Sequence, residues 1–144
     1  MIKKLHSSSL TITLLLCFFN TGLTWSQSAS NCINDYSAQV NKLESESSAI
    51  DDIEIILDFS QSEHKESVSL KIEIQPLNEC WKQLEGSDRS ESITQSINEL
   101  NNYQGKLRLK FDTYNTKCFK WRAIIKNTDN GCETSSEWAF SSFL

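Results

Sequence analysis

The sequence predicts an all-β domain of antiparallel strands, and three observations predict it. Five segments alternate apolar and polar residues with a period of two. The stretches between them are polar or carry turn residues. Hydrophobic residues make up 38% and charged residues 23%, which suits one packed, water-soluble domain and not a disordered tail. The 144 residues are enough for a single domain of ordinary size. Four Gly and one Pro exclude collagen-like and Gly- or Pro-rich chains.

The chain opens on an expected export signal, residues 1–26. Lys3 and Lys4 supply the positive start, residues 10–19 (LTITLLLCFF) the apolar run, and Thr24 and Ser26 the small residues before cleavage. That run is too short to cross a bilayer, which takes about twenty apolar residues. No Leu-x-x-Cys lipid-attachment pattern ends it, and no second apolar stretch follows. The mature protein is therefore expected to be secreted or extracytoplasmic, periplasmic in a Gram-negative cell, with no membrane anchor. Twelve Lys/Arg against nineteen Asp/Glu leave the mature chain at −7. Cys32, Cys80, Cys118 and Cys132 remain, an even number in an oxidising place, so two disulfides are expected. Zinc is not expected, because the spacings of 48, 38 and 14 residues include no Cys-x-x-Cys and only His64 remains to help.

Residues 27–52 lead into the domain. Ile33, Tyr36, Val40 and Leu43 have helical spacing, yet SAQVNKL reads equally as an edge strand, and both readings stay open. The domain proper is read over 53–144. In 53–59 (IEIILDF), Ile53, Ile55, Leu57 and Phe59 share one face. In 68–75 (VSLKIEIQ), Val68, Leu70, Ile72 and Ile74 point inward, and Pro76 closes the strand because it cannot donate to a ladder. The polar stretch 60–67 (SQSEHKES) is read as a hairpin link between these two strands. Residues 88–100 combine the capping-box spacing Asp88-x-x-Glu91 with Ile93, Ile97 and Leu100, which predicts a short helix, although Ser and Thr suit a loop as well. In 106–112, Leu107, Leu109 and Phe111 alternate with Lys106, Arg108 and Lys110. In 118–126, Phe119, Trp121, Ala123 and Ile125 alternate with Lys120, Arg122, Ile124 and Lys126. Asn130-Gly131 supplies a turn into the last strand, 137–143, where Trp138 and Phe140 share a face.

The order Phe119, Trp121, Arg122, Ala123, Ile125, Asn127, followed by Gly131 and by Ser136-Glu137-Trp138, resembles the end of a fibronectin type III domain, one of the immunoglobulin-like sandwiches. Phe119 stands where that family carries Tyr, and 76–105 departs from its pattern. The resemblance implies an antiparallel two-sheet sandwich with 53–59 and 68–75 as its second and third strands. Cys118 and Cys132 lie at opposite ends of a strand about 30 Å long, whereas a disulfide needs Cα atoms within about 7 Å. That leaves two connectivities. The topology implied by the resemblance selects Cys80–Cys118 and Cys32–Cys132.

The sequence offers little for catalysis. His64 sits in a polar link, no Gly-x-Ser-x-Gly, His-Glu-x-x-His or phosphate loop occurs, and Asp51, Asp52 and Glu54 read as a solvated strand entry. No enzyme activity, cofactor or metal is expected. Residues 27–99 hold five basic and fifteen acidic groups, while 100–144 hold seven and four. Lys106, Arg108, Lys110, Lys120, Arg122 and Lys126 face outward. They form one basic face if their strands are neighbours and two strips if the strands lie on opposite sheets, as the resemblance implies. Such charges ordinarily keep strands soluble, and their functional reading is contact with an anionic partner. Nucleic acid is not expected for an exported acidic chain. The expected function is a secreted, non-enzymatic binding or adhesion module for an extracellular protein or polysaccharide. The alternatives are a small effector or protein inhibitor acting through 60–67 or 82–92, and a hydrolase using a carboxylate pair at Asp51 and Asp52.

Overall fold

The computed structural model describes residues 32–46 and 48–144, so the expected export signal lies outside the described residues. Eight strands are present among them: β1 Ser37–Leu43, β2 Asp52–Asp58, β3 Val68–Pro76, β4 Ile93–Ile97, β5 Gln104–Leu109, β6 Cys118–Asn127, β7 Glu133–Ser135 and β8 Ala139–Ser142. A single turn of helix, α1, covers Phe111–Tyr114. One sheet has the order β1-β2-β5 and the other β4-β3-β6-β7, with β8 also paired to β6. Every pairing is antiparallel. The two sheets form a sandwich compatible with an immunoglobulin- or fibronectin type III-like fold.

Alternation builds the core as expected. Ile53, Ile55, Leu57 and Phe59 of the β2 segment are fully buried, as are Leu70, Ile72 and Ile74 of β3 and Phe119, Trp121, Ala123 and Ile125 of β6. Period two places each set on one face, and the two sheets bring those faces together. Each fully buried aliphatic or aromatic side chain contributes about 1.5–3 kcal/mol relative to exposure. Trp121 keeps its indole N–H satisfied by donating to Ser141 Oγ at 3.1 Å.

Several expectations are corrected. The link 60–67 is not a hairpin: β2 and β3 lie in different sheets, and the link crosses the end of the sandwich. Two strands with continuous apolar faces bury more by facing each other across the core than by lying side by side with one common open face. Residues 93–97 are a strand, not a helix. Ile93 and Ile97, four apart, share a face in either conformation, and pairing with β3 (Leu70 opposite Ile97, Ile74 opposite Ile93) gives their backbone partners that a short isolated helix lacks. Residues 37–43 take the edge-strand reading, paired to β2 alone, with Val40 opposite Ile55. The last strand is broken in two. β7 pairs with Ile124–Lys126 and β8 with Cys118–Trp121. At the break Ser136 Oγ accepts from Ala123 N at 2.9 Å, and Ser136 N donates to Ala123 O at 2.9 Å, so the ladder is patched by one side chain. Phe140 lies opposite Lys120, on the outer face, while Ala139 and Ser141 face inward. The segment after Leu109 leaves the sheet, and Phe111 begins α1.

The cysteines pair as Cys80–Cys118 and Cys32–Cys132, with Cα separations of 5.6 and 5.2 Å. Gly131 takes φ +74 in the turn before Cys132, a conformation that suits glycine. Among the described residues, no helix is long and apolar enough to cross a membrane.

Candidate functional site

The six outward cations divide between the sheets. Lys106 and Arg108 lie on β5, with Lys110 one residue beyond it, and Lys120, Arg122 and Lys126 lie on β6. They therefore form two strips and not one face. Half of them are held by carboxylates of the same molecule. Lys120 Nζ meets Asp88 Oδ1 at 2.9 Å, and Arg122 Nε meets Glu73 Oε2 at 2.6 Å. Arg108 Nε meets Asp52 Oδ2 at 2.8 Å and donates through a second nitrogen to the Glu44 carbonyl at 3.0 Å. Lys106, Lys110 and Lys126 are exposed.

The β6 strip is also stacked. The Trp138 ring lies 4.7 Å from the Arg122 guanidinium and 5.5 Å from the Lys120 ammonium. A row therefore runs from Asp88 through Lys120, Trp138 and Arg122 to Glu73. Partial burial pushes the Glu73 carboxyl up, but hydrogen bonds from Arg122 and Ser92 and the Arg122 charge outweigh it and hold it below the usual range. Each exposed ion pair or cation–π contact is worth about 1 kcal/mol or less, so this row orders the surface more than it stabilises the fold.

The carboxylate pair of the alternative hydrolase reading is not assembled, and Asp52 is not the solvated residue expected. Asp51 is exposed, whereas Asp52 is 2% exposed and engaged by Arg108. The second Asp52 oxygen, Oδ1, has no hydrogen-bond partner. Removing Arg108 should strand that buried charge. With Arg108 itself 39% exposed, Arg108→Ala should cost about 2 kcal/mol, between the values for buried and surface pairs, and Asp52→Asn clearly less. Urea unfolding of the two variants checks the order, and equal losses would contradict the asymmetry.

Both ends of the sandwich carry fixed loops. At one end the 60–67 link meets the β4–β5 turn and the β6–β7 turn. Asn102 and Tyr103 take φ of 51 and 64 between Asn101 and Gln104, which exchange two backbone hydrogen bonds of 3.0 Å. Tyr103 donates to Glu66 at 2.8 Å, and Lys65 lies 4.8 Å from its ring. The bond to Glu66 and its negative charge push the Tyr103 phenol up. Thr128 N donates to Ser67 O at 2.8 Å, and the Cys32–Cys132 bridge ties the start of the described chain to this end. A cleft of about 440 Å³ opens beside Lys65, Asn98 and Tyr103. His64 is half-buried, ahead of a 3-10 turn at Lys65–Ser67.

At the other end, residues 77–89 form a loop closed on itself. Cys80 is bridged to Cys118, Leu77 N donates to Cys118 O at 3.1 Å, and Asn78 N donates to Ser87 O at 3.0 Å. Ser87 donates twice to Glu79 Oε2, from Oγ at 2.6 Å and from N at 2.9 Å. These bonds, with Lys82 beside them, hold the Glu79 carboxyl below its usual range. The apex carries Trp81, 80% exposed, and Leu84, 45% exposed. Sequence reasoning placed a candidate loop at 82–92 and passed over Trp81. Its one signal was a Trp directly after a cysteine in a polar stretch.

Comparison with protein families, with curated proteins and with solved structures finds no match to this chain. Among the described residues, no group of three or more His, Cys, Asp or Glu is placed to hold a metal ion.

Proposed function

We propose that the protein is an exported, non-enzymatic binding module of the fibronectin type III-like kind, acting on an extracellular protein or polysaccharide. One observation carries the reading. The two disulfides sit at opposite ends of β6, and each fixes a loop end of the sandwich. Disulfides suit an oxidising compartment. Loops held rigid before contact lose less freedom on binding. The kinship is supported by the sheet orders β1-β2-β5 and β4-β3-β6-β7 together with the Phe119 to Asn127 pattern. A small protein inhibitor is the second reading, favoured by the cross-linked 77–89 loop.

Immobilised protein with intact disulfides should retain a partner from the extracellular medium, and reduced, alkylated protein should not. A substrate panel tests the non-enzymatic part: turnover by the wild type that Asp51→Asn or Asp52→Asn abolishes would overturn it. The cations still available to an anionic partner are Lys106, Lys110 and Lys126. Replacing all three by Gln should shift elution from a sulfated-polysaccharide column to lower salt, with little change in melting temperature. Unchanged elution would remove the strips from the binding surface.

A further inference from the structure

Beyond the buried Leu77, the loop 77–89 holds its apolar side chains, Trp81 and Leu84, out of the core. None of its residues from Cys80 to Glu85 is buried. Yet the segment is restrained more heavily than an idle connection requires. It has the Cys80–Cys118 bridge, the Ser87–Glu79 pair of hydrogen bonds and a Gly86 N–H to Gln83 O bond of 3.1 Å. Asn78 Nδ2 also donates to the Asp88 carbonyl at 3.2 Å, and Arg89 N to Pro76 O at 2.9 Å. Gln83, between Trp81 and Leu84, takes φ 51 and ψ −123, a region that side chains with a Cβ avoid. A strained residue in an over-determined loop is the kind of outlier found at functional sites. Gly86 approaches the Glu79 carbonyl so closely that an added Cβ would lie 2.6 Å from that oxygen, which locks the loop's path.

We propose that this loop is a preorganised docking knob, with Trp81 as its anchor and Leu84 beside it, for a protein partner that offers an apolar pocket with a basic rim. The proposal rests on the binding-module reading and names its contact. Trp is the residue most often found carrying the energy of an interface, and rigid presentation keeps the cost of ordering low. The rim chemistry follows from charge. Along the loop and just after it stand Glu79, Glu85, Asp88 and Glu91 against Lys82 and Arg89, with Asp88 already paired to Lys120 of β6 and Glu85 and Glu91 exposed, in a half of the mature chain with fifteen acidic and five basic groups. Lys82 is already held, 3.4 Å from Glu79 and 5.1 Å from the Trp81 ring. A basic rim complements this surface, whereas an anionic membrane or a second copy of the acidic chain meets like charge.

The test is selection of a random displayed-peptide library on the disulfide-intact mature protein, with Trp81→Ala as the comparison target. Trp81 does not contribute to the core, so the variant should melt within a few degrees of the wild type. Enriched peptides should combine apolar residues with Lys or Arg, bind the wild type at least tenfold more tightly than Trp81→Ala, and weaken as salt rises. Peptides that bind both proteins equally would overturn the anchor and leave the binding-module reading standing. A selection that yields no specific peptide at all would count against both. Trp81-dependent self-association in sedimentation, or Trp81-dependent binding to phosphatidylcholine vesicles with no peptide preference, would overturn the assignment of a protein partner.

Discussion

Reducing the two disulfides should unfold the protein or lower its melting temperature by tens of degrees. The bridges close loops of 38 and 100 residues. By chain entropy these constrain the unfolded chain by about 4 and 4.7 kcal/mol. The smaller loop is nested within the larger, so their joint effect is less than the sum: with Cys80 joined to Cys118, the free part of the outer loop is already shorter. Even so, the total is comparable with the roughly 5–15 kcal/mol that holds a domain folded. For a domain of this size, each kcal/mol is worth roughly 3–5 °C, so loss of either bridge alone should lower the melting point by roughly 12 °C or more. Cys118 is fully buried, and replacing that pair by Ala also removes packed atoms, which adds to the entropic loss. Thermal melts with and without reductant measure the combined effect, and Cys80→Ala/Cys118→Ala and Cys32→Ala/Cys132→Ala separate the two. Peptide mapping without reduction should recover Cys80 joined to Cys118 and Cys32 joined to Cys132. A fragment joining Cys118 to Cys132 would contradict the topology, because Cys118 begins β6 and Cys132 lies in the turn beyond its other end.

Phe119→Ala should be the most damaging of the single core substitutions near the start of β6. The ring is buried, its centroid lies 5.3 Å from that of Phe143, and Phe143 in turn stands edge-on to Phe111 at 5.7 Å. Phe119 is also opposite Pro76 on β3 and Ser141 on β8, so it is packed from both neighbouring strands. Deleting such a ring from a core costs about 3–5 kcal/mol, most of it transfer free energy and the remainder the cavity left behind. The next residue supplies the control. Lys120 faces outward and pairs with Asp88, so Lys120→Ala should cost about 1 kcal/mol or less. Urea denaturation of the two variants should therefore differ several-fold in effect, although the sites are adjacent in sequence. Comparable losses would mean that the inner and outer faces of β6 have been misassigned.

Alternation in 53–59, 68–75 and 118–126 determined by itself which apolar side chains face the core, because a strand offers only two faces and one mixed-polarity pattern fits only one of them. Gln75, expected to point out, is buried, where its amide donates to Ser90 O and Pro76 O. The same alternation says nothing about which strand lies beside which. Hence β2 and β3 were legible as strands, and their placement in opposite sheets was not. Between 88 and 100 even the element type was hidden, since Ile93 and Ile97 share a face at helical and at strand spacing alike. The pairing of cysteines needed a topology before it could be chosen, as sequence distance alone excludes only the short Cys118–Cys132 span. The candidate site was less legible still. Six cations could be placed outside the core, but the partners of Arg122 and Arg108 lie 49 and 56 residues away in sequence, at Glu73 and Asp52. Trp81 drew no reading from the sequence. Only the tertiary structure decided that it stands 80% exposed among the described residues, because burial depends on which surfaces meet when the sheets close, and local residue order carries no record of that.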